Sequence, residues 1–173
     1  MIVLSGSALN FMACPRAIRS KIYLPVRTDR IVADAMDEKR ERRFYQKLET
    51  LEDRLAFIEE NFPEIDELIG DRVLRKALYK EFQELTEALG DLSAMMVKEE
   101  GILVKDDYSN LERLKPLLAP DVIKNLKKAN GLRNVLVHEY NGVDDLLAFE
   151  SVQEVLPSFR VFGSMVREWL KNR

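Results

Sequence analysis

FYQKLETLEDRLAFIEENF, residues 44–62, puts Phe44, Leu48, Leu51, Leu55, Ile58 and Phe62 at alternating steps of four and three. Apolar residues at that spacing line one face of an α-helix, and Glu, Lys and Arg fill most of the positions between. A half-buried strand would alternate at every second residue, which this stretch does not do. It therefore predicts a helix with one buried stripe, starting at Asp37 and stopped by Pro63.

The same period recurs downstream. Leu74, Leu78, Phe82, Leu85, Leu89, Leu92 and Met96 hold one face of a longer helix from about Asp71 to Glu100, with Gly101 as its stop. The short piece EIDELI, residues 64–69, lies between the two. In ILVKDDYSNLERLKPLL, residues 102–118, Ser109 followed by Glu112 has the form of a capping box. A short helix is expected to begin there, limited by Pro116 and Pro120. Asp121 opens the next, which runs through Lys128 and continues or restarts after Gly131, with Asn141-Gly142 as terminator. From Asp144 to Arg173 the apolar positions read as one long helix bent near Pro157, which cannot donate to the carbonyl four residues earlier. The expected architecture is all-α, an up-down bundle of four to five helices with a bent C-terminal helix.

Composition agrees with this class. The chain has 173 residues, 46% hydrophobic and 33% charged, enough for one domain with a substantial core. Residues 1–35 mix short apolar pieces with Pro15 and Pro25 and show no sustained period. They are expected to be an appendage or an overlong translation, with the domain in residues 36–173. LNFMAC, residues 9–14, has a faint look of a lipid-attachment site at Cys14, against which Asn10 counts. A net charge of −3 gives no global pull toward nucleic acid, so RNA binding would need a local basic patch. Cys14 is the single cysteine, which excludes an intrachain disulfide and fits a cytoplasmic protein. No apolar run approaches the roughly 18 residues of a membrane span.

The chemistry concentrates in NGLRNVLVHEYNGVD, residues 130–144, which holds the only histidine. With Arg133 at zero on a helical wheel, Tyr140 falls at about −20°, Asn134 at about 100° and His138 at about 140°. Leu132, Val135 and Leu136 fall on the other side, between about 200° and 300°. The segment thus has an apolar back and a polar front carrying Arg133, Asn134, His138 and Tyr140. Glu139 lands among the apolar positions and would need a partner. Cleaving a phosphodiester by its neighbouring 2′-hydroxyl calls for a base, an acid and positive charge on the transition state. Histidine titrates near neutrality and arginine grips phosphate bidentately while staying charged. One chain supplies one imidazole, and a twofold homodimer would supply two. A metal site is not expected, because His138 and Cys14 have no ligand spacing, and no cofactor loop is present. Lys124, Lys127 and Lys128, at i, i+3, i+4, could grip an RNA backbone or simply form a solvated face.

RNVLVHEY, residues 133–140, resembles the R-x4-H-x-Y signature of HEPN-domain proteins, in the HepT-like ribonuclease toxin branch. The resemblance covers about residues 36–173. It implies a metal-independent endoribonuclease toxin of a type II toxin–antitoxin pair, active as a homodimer without a cofactor. Arg133 and His138 would be catalytic and Asn134 would support them. The implied partner is an MNT-like nucleotidyltransferase antitoxin that attaches AMP to Tyr140. Two other functions fit the same residues. One is a non-catalytic module that binds a nucleotide or nucleic acid through Arg133. The other is a structural bundle with a polar dimer face.

Overall fold

The computed structural model describes residues 36–62, 64, 67, 70–137 and 144–173. Five α-helices occupy them: α1 Glu38–Glu60, α2 Arg72–Glu99, α3 Asp107–Arg113, α4 Pro120–Val137 and α5 Asp145–Lys171. No strand occurs among the described residues, so the all-α reading holds.

Four of the five helices begin at an aspartate cap. Asp37 caps α1 by accepting the Arg40 N–H at 2.8 Å. Asp71 caps α2 through the amides of Val73 and Leu74, and Asp144 caps α5 through Leu147. In every case a carboxylate satisfies an amide that the first helical turn leaves without a carbonyl. α2 ends in a Schellman motif. Ile102 N–H reaches Val97 O at 3.1 Å and Gly101 N–H reaches Lys98 O at 2.9 Å. That closure needs the left-handed φ of 70° at Gly101.

α3 departs from the expectation. It starts three residues earlier than the Ser109 capping box implies, because Asp106 is the cap and accepts both the Ser109 N–H and its hydroxyl. Two adjacent aspartates offered a stronger acceptor than the serine. α4 is continuous through Gly131 and takes Pro120 in its first turn, where a missing N–H costs nothing. α5 continues through Pro157 to Lys171 as one element. Pro63, most of 64–69, Asn141-Gly142 and the whole of residues 1–35 with Cys14 lie outside the described residues.

The stripe that opened the sequence reading is the bundle's seam. Phe44, Leu48, Leu51, Leu55 and Ile58 are all buried, as are Leu78, Phe82, Leu85, Leu89, Leu92 and Met96 on α2. α1 packs mainly on α2, and α4 on α5, with α5 closing against α1. Phe82 and Phe159 meet edge to face at 6.2 Å across the centre, and each buried ring of this size contributes about 1.5–3 kcal/mol. Arg54 ties α1 to α2 through Glu81 and Glu84 at 3.0 and 3.1 Å. The short α3 packs beside α2 and α4, and that corner of the bundle is where the polar residues gather.

Candidate functional site

α4 buries Val122, Ile123, Leu126, Ala129 and Leu136, which fixes its rotation in the bundle. One consequence is that Arg133 reaches α2 and Asn130, a turn earlier, reaches α3. Asn130 is buried and its Nδ2 makes a long 3.4 Å hydrogen bond to Asp107 Oδ2. Arg133 donates from Nη2 to Glu87 Oε1 on α2 at 2.6 Å, and Nη1 lies 3.5 Å from Asn134 Oδ1. Its Nε is buried and finds no acceptor among the described residues.

Arg133 stands on the wall of a cleft of about 370 Å³ between α2, α3 and α4. Glu87, Gly90, Asp91, Lys105, Asp107 and Asn130 contribute to its lining. Asn110 pins one side by accepting the Lys105 N–H and donating to the Lys105 carbonyl, both at 2.9 Å. Gly90 lets the Asp107 carboxylate lie close against α2: a Cβ there would come within 3.2 Å of Asp107 Oδ1. Among the described residues no three His, Cys, Asp or Glu side chains gather to hold a metal ion.

The residues expected from sequence fare differently. Arg133 and Asn134 are brought together at the C-terminal part of α4, with Asn134 exposed. His138 and Tyr140, with Glu139, lie outside the described residues. The apolar back is narrower than the wheel implied. Leu136 is buried and Leu132 partly so, but Val135 is 53% exposed, because α4 is covered on two sides and not all round.

The three lysines do not make one basic track. Lys127 pairs with Glu112 of α3 and Lys128 with Glu154 of α5. Hydrogen bonds from Lys115 and then Lys127 hold the Glu112 carboxyl below its ordinary range. Lys124 is exposed with no ion pair among the described residues. It sits two and a half turns before Arg133, hence about 180° round the helix from it. Glu87, Asp107 and Asn130 went unnoticed in the sequence. Asn130 had a signal, the i, i+3 spacing to Arg133. Glu87, 46 positions away, had none.

Comparison with known proteins follows the same segment. The profile of the ribonuclease HepT-like family matches residues 47–166. A protein of Archaeoglobus fulgidus named "Putative RNase" is 40% identical over 122 residues, 69% of this chain and 92% of that one. A second protein of that name and organism is 33% identical over 107 residues, 61% of this chain and 76% of its own length. In fold, the chain is similar to a tri-AMPylated HEPN toxin of Shewanella oneidensis solved in complex with an MNT antitoxin. The TM-score is 0.66 at 21% identity, over 77% of this chain and 99% of that one. A toxin–antitoxin structure with AMP-PNP gives a TM-score of 0.65, also at 21% identity, over 76% and 99%.

Proposed function

Since the chain belongs to the ribonuclease HepT-like family, we propose that it is an endoribonuclease toxin of a type II toxin–antitoxin pair, cutting RNA without a metal ion. The observation that carries this reading is Arg133 on the wall of an open polar cleft, five positions ahead of His138 in the R-x4-H-x-Y spacing. The domain that does so is residues 36–173.

In the proposed reaction the neutral His138 imidazole takes the proton of a ribose 2′-hydroxyl. The 2′-oxygen then bonds to the adjacent phosphorus, and the bond from phosphorus to the 5′-oxygen breaks. The leaving oxygen takes its proton from the imidazolium of His138 in a second copy of this chain. The products are a 2′,3′-cyclic phosphate and a 5′-hydroxyl, so atoms and charge balance with no other reactant. Arg133 grips the non-bridging oxygens, whose charge grows in the transition state. Asn134 lies beside the guanidinium and helps orient it. Lys127 and Lys128 would have to leave Glu112 and Glu154 to touch an RNA backbone, and Lys124, about 180° round α4 from Arg133, would meet only a strand that wraps past the helix.

A nucleotidyltransferase antitoxin is the proposed partner, with Tyr140 as its target. Tyr140 follows Arg133 by seven positions in the motif, and an added AMP would bring negative charge and bulk to the segment that is to meet RNA.

The test is cleavage of a defined RNA by the purified chain in a chelator, with the ends of the products identified. Cyclic phosphate ends, and loss of cutting in His138→Ala, are the expected results. Binding without turnover in both proteins would turn the reading toward a non-catalytic module, and cutting that survives in His138→Ala would end the catalytic assignment.

A further inference from the structure

The cleft beside Arg133 is polar, yet most of its polar groups are already engaged. Glu87 holds Arg133, and Asp91 is paired with Lys47 of α1 at 2.6 Å. The Thr86 hydroxyl donates to the Phe82 carbonyl at 2.8 Å, and Asn110 is closed on the Lys105 backbone. What is left is the Asp107 carboxylate, whose contact within the described residues is the long bond from Asn130, and the Lys105 ammonium, which has no ion pair there. Gly90 lets the Asp107 carboxylate rest close against α2, and Ala94, one turn on, adds little bulk to that side of the cleft. A carboxylate with an exposed edge, held by one long bond and with the Lys105 ammonium and the Arg133 guanidinium on the same cleft, suits a flat neutral group that donates hydrogen bonds and carries an anion.

We propose that this cleft holds a guanine base of the RNA, next to the phosphate gripped by Arg133, and that Asp107 selects it. Guanine presents N1–H and N2–H side by side, and a carboxylate accepts both at once. Adenine offers one exocyclic amine beside a ring nitrogen that repels the second oxygen. Uracil flanks its single N–H with two carbonyls, and cytosine sets its amine beside an acceptor. Single-stranded RNA is read in this way, by hydrogen bonds to the edges of unstacked bases. Among the described residues no three side chains gather here to hold a metal cation. A cationic side chain from another protein would meet Arg133 and Lys105. The volume of about 370 Å³ is at the small end of ligand clefts, in keeping with one base and its sugar.

The phosphate half of this proposal rests on the ribonuclease reading; the base half does not, and the experiment separates them. The full chain is given short oligoribonucleotides that differ only in one base, G, A, C, U or inosine, on each side of the cut. The same bases are compared for equilibrium binding in 2′-O-methyl oligomers, which cannot be cut. A preference of about tenfold or more for G over A is expected from a two-bond contact, with inosine between because it lacks the N2 donor. Asp107→Asn, an exposed change in the first turn of α3, replaces one acceptor by a donor and should shrink the preference below about threefold. Gly90→Ala tests the same point from the other wall. Alanine favours the helix, so folding is kept, while its methyl would sit 3.2 Å from Asp107 Oδ1 and turn the carboxylate away.

G-selective binding without cleavage would support the pocket and refute the nuclease. Cleavage with no base preference at any position would refute the pocket and leave the nuclease standing. A preference for G that survives Asp107→Asn unchanged overturns the assignment of Asp107, and absence of both binding and cleavage overturns both readings.

Discussion

Arg133 on α4 and Glu87 on α2 are joined by a 2.6 Å ion pair across the mouth of the cleft. Both side chains are part-exposed, at 33% and 54%, so the pair adds less than about 1 kcal/mol to folding. Its consequence is orientation: with Nη2 fixed on Glu87 and Nε buried, the Nη1 edge is the one left to meet a phosphate. Glu87→Ala should therefore lower single-turnover RNA cleavage about 10- to 100-fold with little change in melting temperature. Glu87→Gln keeps a hydrogen-bond acceptor and should stay near the wild-type rate. An undiminished rate in Glu87→Ala would show that Arg133 finds its place unaided.

Gly163 sets how closely α5 approaches α1. A Cβ at that position would lie 3.4 Å from Leu51 Cδ2 and 3.8 Å from Leu48 Cδ1. One methyl is nearly accommodated, and alanine's better helix propensity offsets the squeeze, so Gly163→Ala should fall within about 1 kcal/mol of wild type. The branched side chain of Gly163→Val cannot fit without parting the helices and should cost about 1–3 kcal/mol in urea unfolding. Equal midpoints for the two variants would mean the seam is looser than its contacts indicate.

These two contacts illustrate what a sequence can and cannot disclose. The α1 stripe from Phe44 to Ile58 was legible because its apolar spacing is a local property and the bundle buries the face that spacing marks. Asp37 and Gly101 were legible for a similar reason, since caps act within one turn. Where two local signals competed, as Asp106 and Ser109 did at α3, the better acceptor won and the boundary moved. Of the candidate site, Arg133 and Asn134 were legible from spacing and residue type. Glu87 and Asp107 were not, because only the packing of α2 and α3 on α4 brings them there. Val135 was misplaced on the covered side because a wheel gives an angle but not how many neighbours a helix has.

The caps carry a pH dependence. The Arg40 amide, and then its guanidinium, hold the Asp37 carboxyl below its ordinary value of 3.8. The Ser109 amide, and then its hydroxyl, do the same for Asp106. A group whose folded pKa is depressed binds fewer protons folded than unfolded at intermediate pH. Its stabilisation is thus present above about 3.8 and is lost as pH falls through the depressed value. The melting temperature should drop below about pH 4, and the Asp37→Asn, Asp106→Asn double variant should drop less steeply there. Asparagine still caps a helix, so at neutral pH the variant should remain folded. Superimposable acid limbs would assign the loss to other carboxylates.

Val135 and Val137 stand 53% and 42% exposed on the last turn of α4, and Leu147 stands 60% exposed at the start of α5. These apolar side chains flank the segment that carries His138. In a twofold dimer whose axis passes close to this end of α4, Val135 would lie near its own copy on the mate. Val135→Asp would then set two carboxylates near each other across the axis. Because the position is exposed in the single chain, folding should change by no more than about 0.5 kcal/mol. Self-association, measured by light scattering over a dilution series, should weaken at least about tenfold, since like charges brought together at an interface cost several kcal/mol. RNA cleavage should fall in step with the dimer fraction, because a lone chain has one imidazole and the reaction needs a base and an acid at once. A monomeric Val135→Asp protein that cuts at the wild-type rate would show that a single subunit completes the chemistry. A variant that stays dimeric would place the interface elsewhere on the bundle.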